Sequence, residues 1–246
     1  MEVDQLASKL VLWIREQVLA AGCKGVVVGM SGGLDSSVLA VLCHQAFPQN
    51  MLGVIMPCYG SKEDEEHALA VASQFSIPTK VVVLDPVFDT LLKVLPTDTA
   101  EPCVKRLAEA NLKVRLRMLT LYYFANRFKY LVAGAGNRSE LAVGYFTKYG
   151  DGGVDILPLA NLVKGQVREL ANFLGIPQPI IDKPPSAGLW PGQTDEGELG
   201  FSYDELDQYL VTGEVSIGLR QKIESMIAAS AHKRLPPPVA NFQWEG

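Results

Sequence analysis

The stretch that decides the fold is "VVVGMSGGLDSSVLAVLC", residues 26–43. An apolar run (Val26, Val27, Val28) stops at a turn of serine and glycine, and apolar residues resume at Val38, Leu39, Val41 and Leu42. Three β-branched residues in a row read as a strand buried on both faces, and the resumed spacing predicts a helix from about Asp35. A strand, a glycine turn and a helix in succession aim backbone N–H groups and a helix N-terminus at an anion, which suggests phosphate. Gly32 and Gly33 can take positive φ and let amides approach an oxyanion, while Ser31, Ser36 and Ser37 add hydroxyls. Asp35 needs a separate explanation. Either it caps the helix, or it holds a cation against the phosphate, as a Mg²⁺ ligand would. No Lys closes the turn, so this is not the G-x-x-x-x-G-K-[ST] pattern.

Outward from that unit, the chain alternates. "VDQLASKLVLWIREQVLAA" carries Leu6, Leu10, Ile14 and Val18 at helical spacing and ends at Gly22. The strands "GVVVGM", "MLGVIM" and "TKVVVL" alternate with the helix from Asp35 and one over "KEDEEHALAVASQF". Successive strand–helix units imply parallel strands with helices on both faces, an α/β, doubly wound sheet. A long helix over "EPCVKRLAEANLKVRLRMLTLYYFANRF" leads into the strand "YLVAGAG", and "VKGQVRELANFLG" is a helix ended by Gly175 and Pro177. "SYDELDQYL" and "VSIGLRQKIESMIAAS" are two further helices. With no repeat and no linker, residues 1–246 read as one domain. "GYFTKYGDGGVD" and "DKPPSAGLWPGQTDEGELG" lack a period, and the 184–199 stretch within the second reads as a lid. Trp190, apolar in a polar loop, fits a lid that packs down.

Composition bounds the function. The 246 residues are 48% hydrophobic and 20% charged, an ordinary globular balance. A net charge of −5 argues against general nucleic-acid binding. No apolar run has the length of a membrane span, and "MEVDQLASKL" carries acids where a secretory signal carries basic residues. Cys23, Cys43, Cys58 and Cys103 form no C-x-x-C pair. Reduced cysteines in a cytoplasmic protein are therefore expected, and a zinc site is not.

Beyond the glycine turn, several residues carry candidate chemistry. "LVAGAGNRSE" lacks the third glycine of a dinucleotide fingerprint. Its Glu140 is a second carboxylate just past a strand end, where α/β sheets place ligands, or simply a solvated loop residue. In "GYFTKYGDGGVDILP", Lys148 with Tyr145, Phe146 and Tyr149 offers a charge and flat faces to a ring-bearing anion. Asp151 lies in a glycine-rich turn and Asp155 can accept a ribose hydroxyl. Arg115 and Arg117 are two apart on a helix and point different ways, so one of them reaches a site. "HKR" at 232–234 follows a helix, where cations are favoured in any case. His44 and His67 have no partner pattern and read as structural.

The glycine turn resembles the pyrophosphate-binding S-G-G-x-D-S loop of the N-type ATP pyrophosphatases. "SGGLDSS", "NLKVRLRM", "GNRSELAVGYFTKYGDGGVDILPLANLVKGQVRELA", "KPPSAGLWPGQTDEGELGFSYDELD" and "HKR" follow in the order seen in the NAD synthetases, from about residue 25 to 235. The resemblance implies a Rossmann-like, adenine-nucleotide α-hydrolase-like sheet and the ammonia-dependent reaction. ATP adenylylates the nicotinate carboxylate of deamido-NAD, and ammonia displaces AMP. It implies the ammonia-dependent form because the signature begins too early for an N-terminal nitrilase-like amidase domain. By resemblance, Gly29, Met30, Ser31, Gly32, Gly33, Leu34, Asp35 and Ser36 bind ATP with Lys164 and Ser186. Asp35 and Glu140 ligate Mg²⁺. Arg115, Lys148, Asp155, His232 and Lys233 bind deamido-NAD. Asp151, Lys164 and Ser31 are the catalytic candidates, with Asp151 near the reacting carboxylate and the ammonia. The family's usual Thr after the strand is Ala135 here, which removes one hydroxyl contact to ATP. Family members are homodimers with the deamido-NAD site at the interface, so a dimer is expected. The competing readings are an ATP pyrophosphatase acting on a nucleobase carbonyl, a nucleotide sensor without turnover, and a synthetase subunit with its amidase on a separate chain.

Overall fold

The structure is a computed structural model and describes residues 1–96, 101–190 and 192–242. Four parallel strands among them form one sheet: β1 (Gly25–Gly29), β2 (Met51–Ile55), β3 (Thr79–Val81) and β4 (Tyr130–Ala133), in the order β3-β2-β1-β4. Chain progression runs outward from β1 through β2 to β3, then reverses to place β4 on the other side of β1. The carboxyl ends of β1 and β4 therefore flank a topological switch point, where an open α/β sheet leaves a crevice. A single parallel bridge from Ala133 to Ile156 extends the sheet beyond β4.

One residue of offset sends side chains to opposite faces. Val26 and Val28 join the core under α1 (Val3–Ala20), α2 (Leu34–Ala46), α3 (Lys62–Gln74) and a helix at Lys164–Leu174. Val27, Leu52, Val54 and Val132 join the core under α4 (Asp85–Val94) and α5 (Pro102–Phe128). Because both faces are covered, the β1 valines are fully buried, as the unbroken apolar run requires. The doubly wound expectation is met.

After β4 come α6 (Arg138–Val143), α7 (Lys164–Leu174), α8 (Gln178–Ile181), α9 (Asp195–Leu199), α10 (Tyr203–Thr212), α11 (Ile217–Ala229) and α12 (Ala231–Arg234). Val143, Leu199, Phe201, Tyr203, Leu206 and Ile223 make a third, smaller core that holds α6, α9, α10 and α11 together. One expectation needs correction. The lid stretch is not irregular throughout: Thr194 Oγ1 accepts from Gly197 N and starts α9. "DPVFDTLLKV", which carried no reading in the sequence, is helix α4, started by Pro86 in its first turn. Among the described residues no helix is long and apolar enough to cross a membrane.

Candidate functional site

Between the carboxyl ends of β1 and β4 opens a cleft of about 1130 Å³. That exceeds the roughly 300–1,000 Å³ of a pocket for one small ligand and leaves room for two. Gly29, Met30, Ser31, Gly33, Leu34, Asp35 and Ser36 line it on one side, and Ala135, Glu140, Asp151, Lys164, Ser186 and Lys233 line the rest.

The glycine turn is shaped by its own hydroxyls. Ser36 Oγ is 2.8 Å from Ser31 Oγ and accepts from Ser31 N at 3.2 Å, while Ser36 Oγ and Ser37 Oγ both donate to Gly33 O. Gly32 takes φ 81°, and a Cβ there would meet Asp64 O at 2.0 Å. Gly32 is thus fixed by contact with α3 rather than by a ligand, and it does not line the cleft. Gly33 caps α2 without a side chain, so Asp35 is not the N-cap. The capping alternative for Asp35 falls, and the start of α2 faces the cleft with its N–H groups uncapped by any side chain.

Asp35 instead reaches across the switch point. Its Oδ1 accepts from Asn137 Nδ2 at 2.8 Å, and its Oδ2 pairs with Lys164 Nζ. Lys164 Nζ also lies 3.3 Å from Glu140 Oε1, so one ammonium, on α7, bridges two carboxylates, on α2 and α6. Glu140 is not a loop residue. It is the third residue of α6, in a reciprocal capping box with Asn137, whose Oδ1 accepts from Glu140 N while Glu140 Oε2 accepts from Asn137 N. Burial, then the neighbouring Asp35 carboxylate, push Glu140 up to about 8 against the pull of Lys164. Burial alone would lower Lys164; Asp35 and Glu140 outweigh it and hold the ammonium charged.

At the far end, Asp151 opens to the solvent-filled cleft yet is walled by protein. That crowding raises its carboxyl, opposed by the Thr147 amide (2.8 Å) and by Lys233. Lys233 donates to Gly144 O and Phe146 O, and its neighbour Arg234 donates to the carbonyls of Leu141 and Ala142 that end α6. The cations of "HKR" thus do satisfy helix-terminal carbonyls, and Lys233 faces the cleft as well. The lid covers the cleft from the side of α3 and α5. Lys183 Nζ bonds Glu63 and Asp64 at 2.7 Å, Lys113 Nζ donates to Leu189 O, and the Arg106 guanidinium lies 4.9 Å over the Trp190 ring. Ser186 Oγ donates to Gln193 O within the lid.

Not every expected residue meets there. Arg117, not Arg115, faces the cleft, its Nε donating to Met56 O. Burial lowers its guanidinium. Arg115 turns outward, Nε to Lys148 O, and Lys148 Nζ donates to His232 O at 2.6 Å. Asp155 accepts from Tyr122 OH and from Val132 N. Arg115, Lys148, Asp155 and His232 are therefore brought to an outer surface rather than into the cleft. Residue spacing alone missed Asn137, Tyr203 and Asp195, which surround Lys164 and Asp35. Asp195 Oδ2 accepts from Tyr203 OH, and the Tyr203 ring lies 5.1 Å from Lys164 Nζ. The capping box at Asn137 and Glu140 is the one signal in the sequence that could have revealed α6.

A parallel sheet with a hydroxyl-lined glycine turn, a lysine and two carboxylates at its switch point defines a nucleotide-handling α/β protein. The chain matches the NAD synthase family model over residues 6–237. It is 51% identical to the NH(3)-dependent NAD(+) synthetase of Carboxydothermus hydrogenoformans, over 96% of this chain and 97% of that one. Among solved structures, NMN synthetase from Francisella tularensis superposes with a TM-score of 0.93 at 36% identity, covering 98% of this chain and all of that one. The NH3-dependent NAD synthetase of Campylobacter jejuni, solved with nitrate, superposes with a TM-score of 0.81 at 26% identity, over 98% and 100%. The chain belongs to the NAD synthase family.

Proposed function

We propose that the chain makes NAD from deamido-NAD, ATP and ammonia. The observation that carries this reading is the Lys164 ammonium held between Asp35 and Glu140 beside the glycine turn, in a chain with near-full-length relatives of that name. The nicotinate carboxylate is a poor electrophile because its leaving group would be an oxide. Its oxygen attacks the α-phosphorus of ATP, the bond to the bridging oxygen breaks, and pyrophosphate departs. The β and γ phosphates rest on the N–H groups and hydroxyls at the start of α2, and Lys164 neutralises charge as it moves to the pyrophosphate. Asp35 and Glu140 suit a hard divalent cation in place of, or beside, the ammonium they share. Among the described residues no three ligands cluster, so phosphate and water oxygens would complete the shell, as Mg²⁺ prefers. Mg²⁺ held there supplies charge stabilisation to the phosphates.

Ammonia then attacks the acyl carbon, and the carbon–oxygen bond to AMP breaks. Ammonium must first give up a proton, and Asp151, whose carboxyl burial raises, would accept it. The lid keeps water from the adenylate. Arg115, Lys148, Asp155, His232 and Lys233 would bind deamido-NAD. Four of them lie outside the cleft beside α5, whose outward Leu119 and Tyr123 are 69% and 59% exposed. That apolar face supports a homodimer in which a second copy completes the acceptor site. A second reading follows from the Francisella structure: a nicotinate mononucleotide would serve as acceptor in the same chemistry.

The test is an endpoint assay with ATP, Mg²⁺ and either deamido-NAD or nicotinate mononucleotide, run with ammonium and, in parallel, with glutamine. NAD and AMP formed one-for-one, only with ammonium and the dinucleotide, is the expected result. Amide formed faster on the mononucleotide supports the second reading. AMP without either amide would refute both.

A further inference from the structure

Lys164 is the first residue of α7, and the residue before it, Val163, has no side-chain acceptor to cap that helix. The uncapped N–H groups of a helix start need partners when buried, and Lys164 is only 4% exposed. The partners come from elsewhere. Asp207 on α10 takes Gly165 N on Oδ2 at 2.8 Å, and its Oδ1 accepts from Ser139 Oγ at 2.5 Å. Ser139 Oγ in turn accepts from Lys164 N at 3.1 Å. Ser139 immediately precedes Glu140, so one carboxylate joins the helix that carries Glu140 to the helix that carries Lys164.

One turn earlier on the same face of α10 stands Tyr203, at the i, i+4 spacing that aligns side chains. Its ring faces Lys164 Nζ at 5.1 Å, and its hydroxyl is held by Asp195 Oδ2 at 3.0 Å. Tyr203 is 3% exposed. A cation against a desolvated aromatic face is attracted to it, while a ring in that place also blocks other rotamers of the lysine. Asp207 therefore fixes the backbone end of Lys164, and Tyr203 fixes its ammonium end.

We propose that α10 aims Lys164, with Asp207 and Tyr203 as positioning residues for the transfer of the adenylyl group. The inference rests on the functional reading above. Asp207 does not line the cleft. It acts by setting where α7 starts, and through Ser139 it keeps Lys164 in register with Glu140. A displacement of about 1 Å at a group stabilising the transition state costs on the order of 100-fold in rate. Substrate affinities that do not depend on Lys164 should be spared.

The test uses the full chain and four variants. Asp207→Asn is expected to lower kcat about 10- to 100-fold and to leave the KM for deamido-NAD within about two-fold. Amide hydrogen exchange at Gly165, measured without substrates, should accelerate in Asp207→Asn. Tyr203→Phe keeps the ring and should retain most of kcat; Tyr203→Leu removes it and should lose about ten-fold or more. Asp204→Asn, on the exposed side of α10, should match the unmodified chain in every measure. The proposal is overturned if kcat of Asp207→Asn stays within about two-fold, if Gly165 exchange is unchanged, or if Asp204→Asn falls as far. Should Asp207→Asn fail to fold, the Tyr203 pair decides, and equal rates for Phe and Leu would overturn the proposal. An unmodified chain that forms no AMP with either acceptor would instead sink the functional reading itself.

Discussion

Replacing Lys164 by Met removes the cation that bridges Asp35 and Glu140, and it does so without much change of volume. The side chains of Lys164, Asp35 and Glu140 are 5%, 13% and 18% exposed. Breaking a buried pair from one side costs about 3–5 kcal/mol, because a charge is left without a partner. At roughly 2–4 °C per kcal/mol for a chain of this size, the midpoint of thermal unfolding should fall by about 6–20 °C. The loss should depend on pH in a defined direction. Glu140 stands at about 8 in the folded chain against an ordinary 4.5, so the folded state holds its proton more tightly than the unfolded state does. Stability then declines as pH rises through that interval, and without Lys164 to lower it Glu140 moves further in the same direction. The deficit of Lys164→Met should accordingly be larger at pH 9, where Glu140 has ionised beside Lys164 but not in the variant, than at pH 5, where the loss of Asp35's partner remains. Mg²⁺ should recover part of it at pH 9, because binding to the folded state alone is stabilising. Calorimetry at the two pH values, with and without Mg²⁺, measures all of this. A deficit at pH 9 under about 2 °C, or one no larger than at pH 5, would refute the reasoning.

Gly32→Ala forces a Cβ to 2.0 Å from Asp64 O at φ 81°. The left-handed conformation alone costs about 1–2 kcal/mol, and displacement of the turn should raise the KM for ATP more than that for deamido-NAD in steady-state kinetics. Lys183→Met loses the lid's bonds to Glu63 and Asp64, and since Glu63 is 63% exposed the stability change should be under about 1 kcal/mol. Proteolysis within residues 184–190 should nevertheless accelerate, and an unchanged cleavage rate would count against the anchor. Asp151→Asn should abolish amide formation at neutral pH while ATP is still consumed to AMP, read as AMP released in excess of NAD.

How much of this was legible in the sequence differs from element to element. β1, the turn and α2 were legible because their signals are local: β-branched residues, then residues able to take positive φ, then helical spacing. α4 was not, because Pro86 at its start also reads as a turn. α9, four of whose five residues are acidic or glycine, gave no periodicity against the proline- and glycine-rich stretch around it. Asp35 could be a cap or a ligand until the structure put Gly33 in the capping position. Arg115 and Arg117 were equally basic in sequence, and only the packing of α5 on the sheet decided that Arg117 turns to the cleft.

The sequence by itself determined a parallel, doubly wound sheet, the serine–glycine turn and the charged residues of the candidate site. Each of these depends on short-range conformational preference or on a long ordered run of matching residues. Tertiary structure decided how Asp35, Glu140 and Lys164 meet, with one ammonium held between two carboxylates. They lie more than a hundred positions apart at the extremes, on α2, α6 and α7, and nothing in their spacing brings them together. The reversal of strand order around β1 does so, by opening one crevice between β1 and β4 onto which all three helices start. The low exposure of that crevice then turns three ordinary charges into a coupled group, because burial raises the cost of each unless the others are in place.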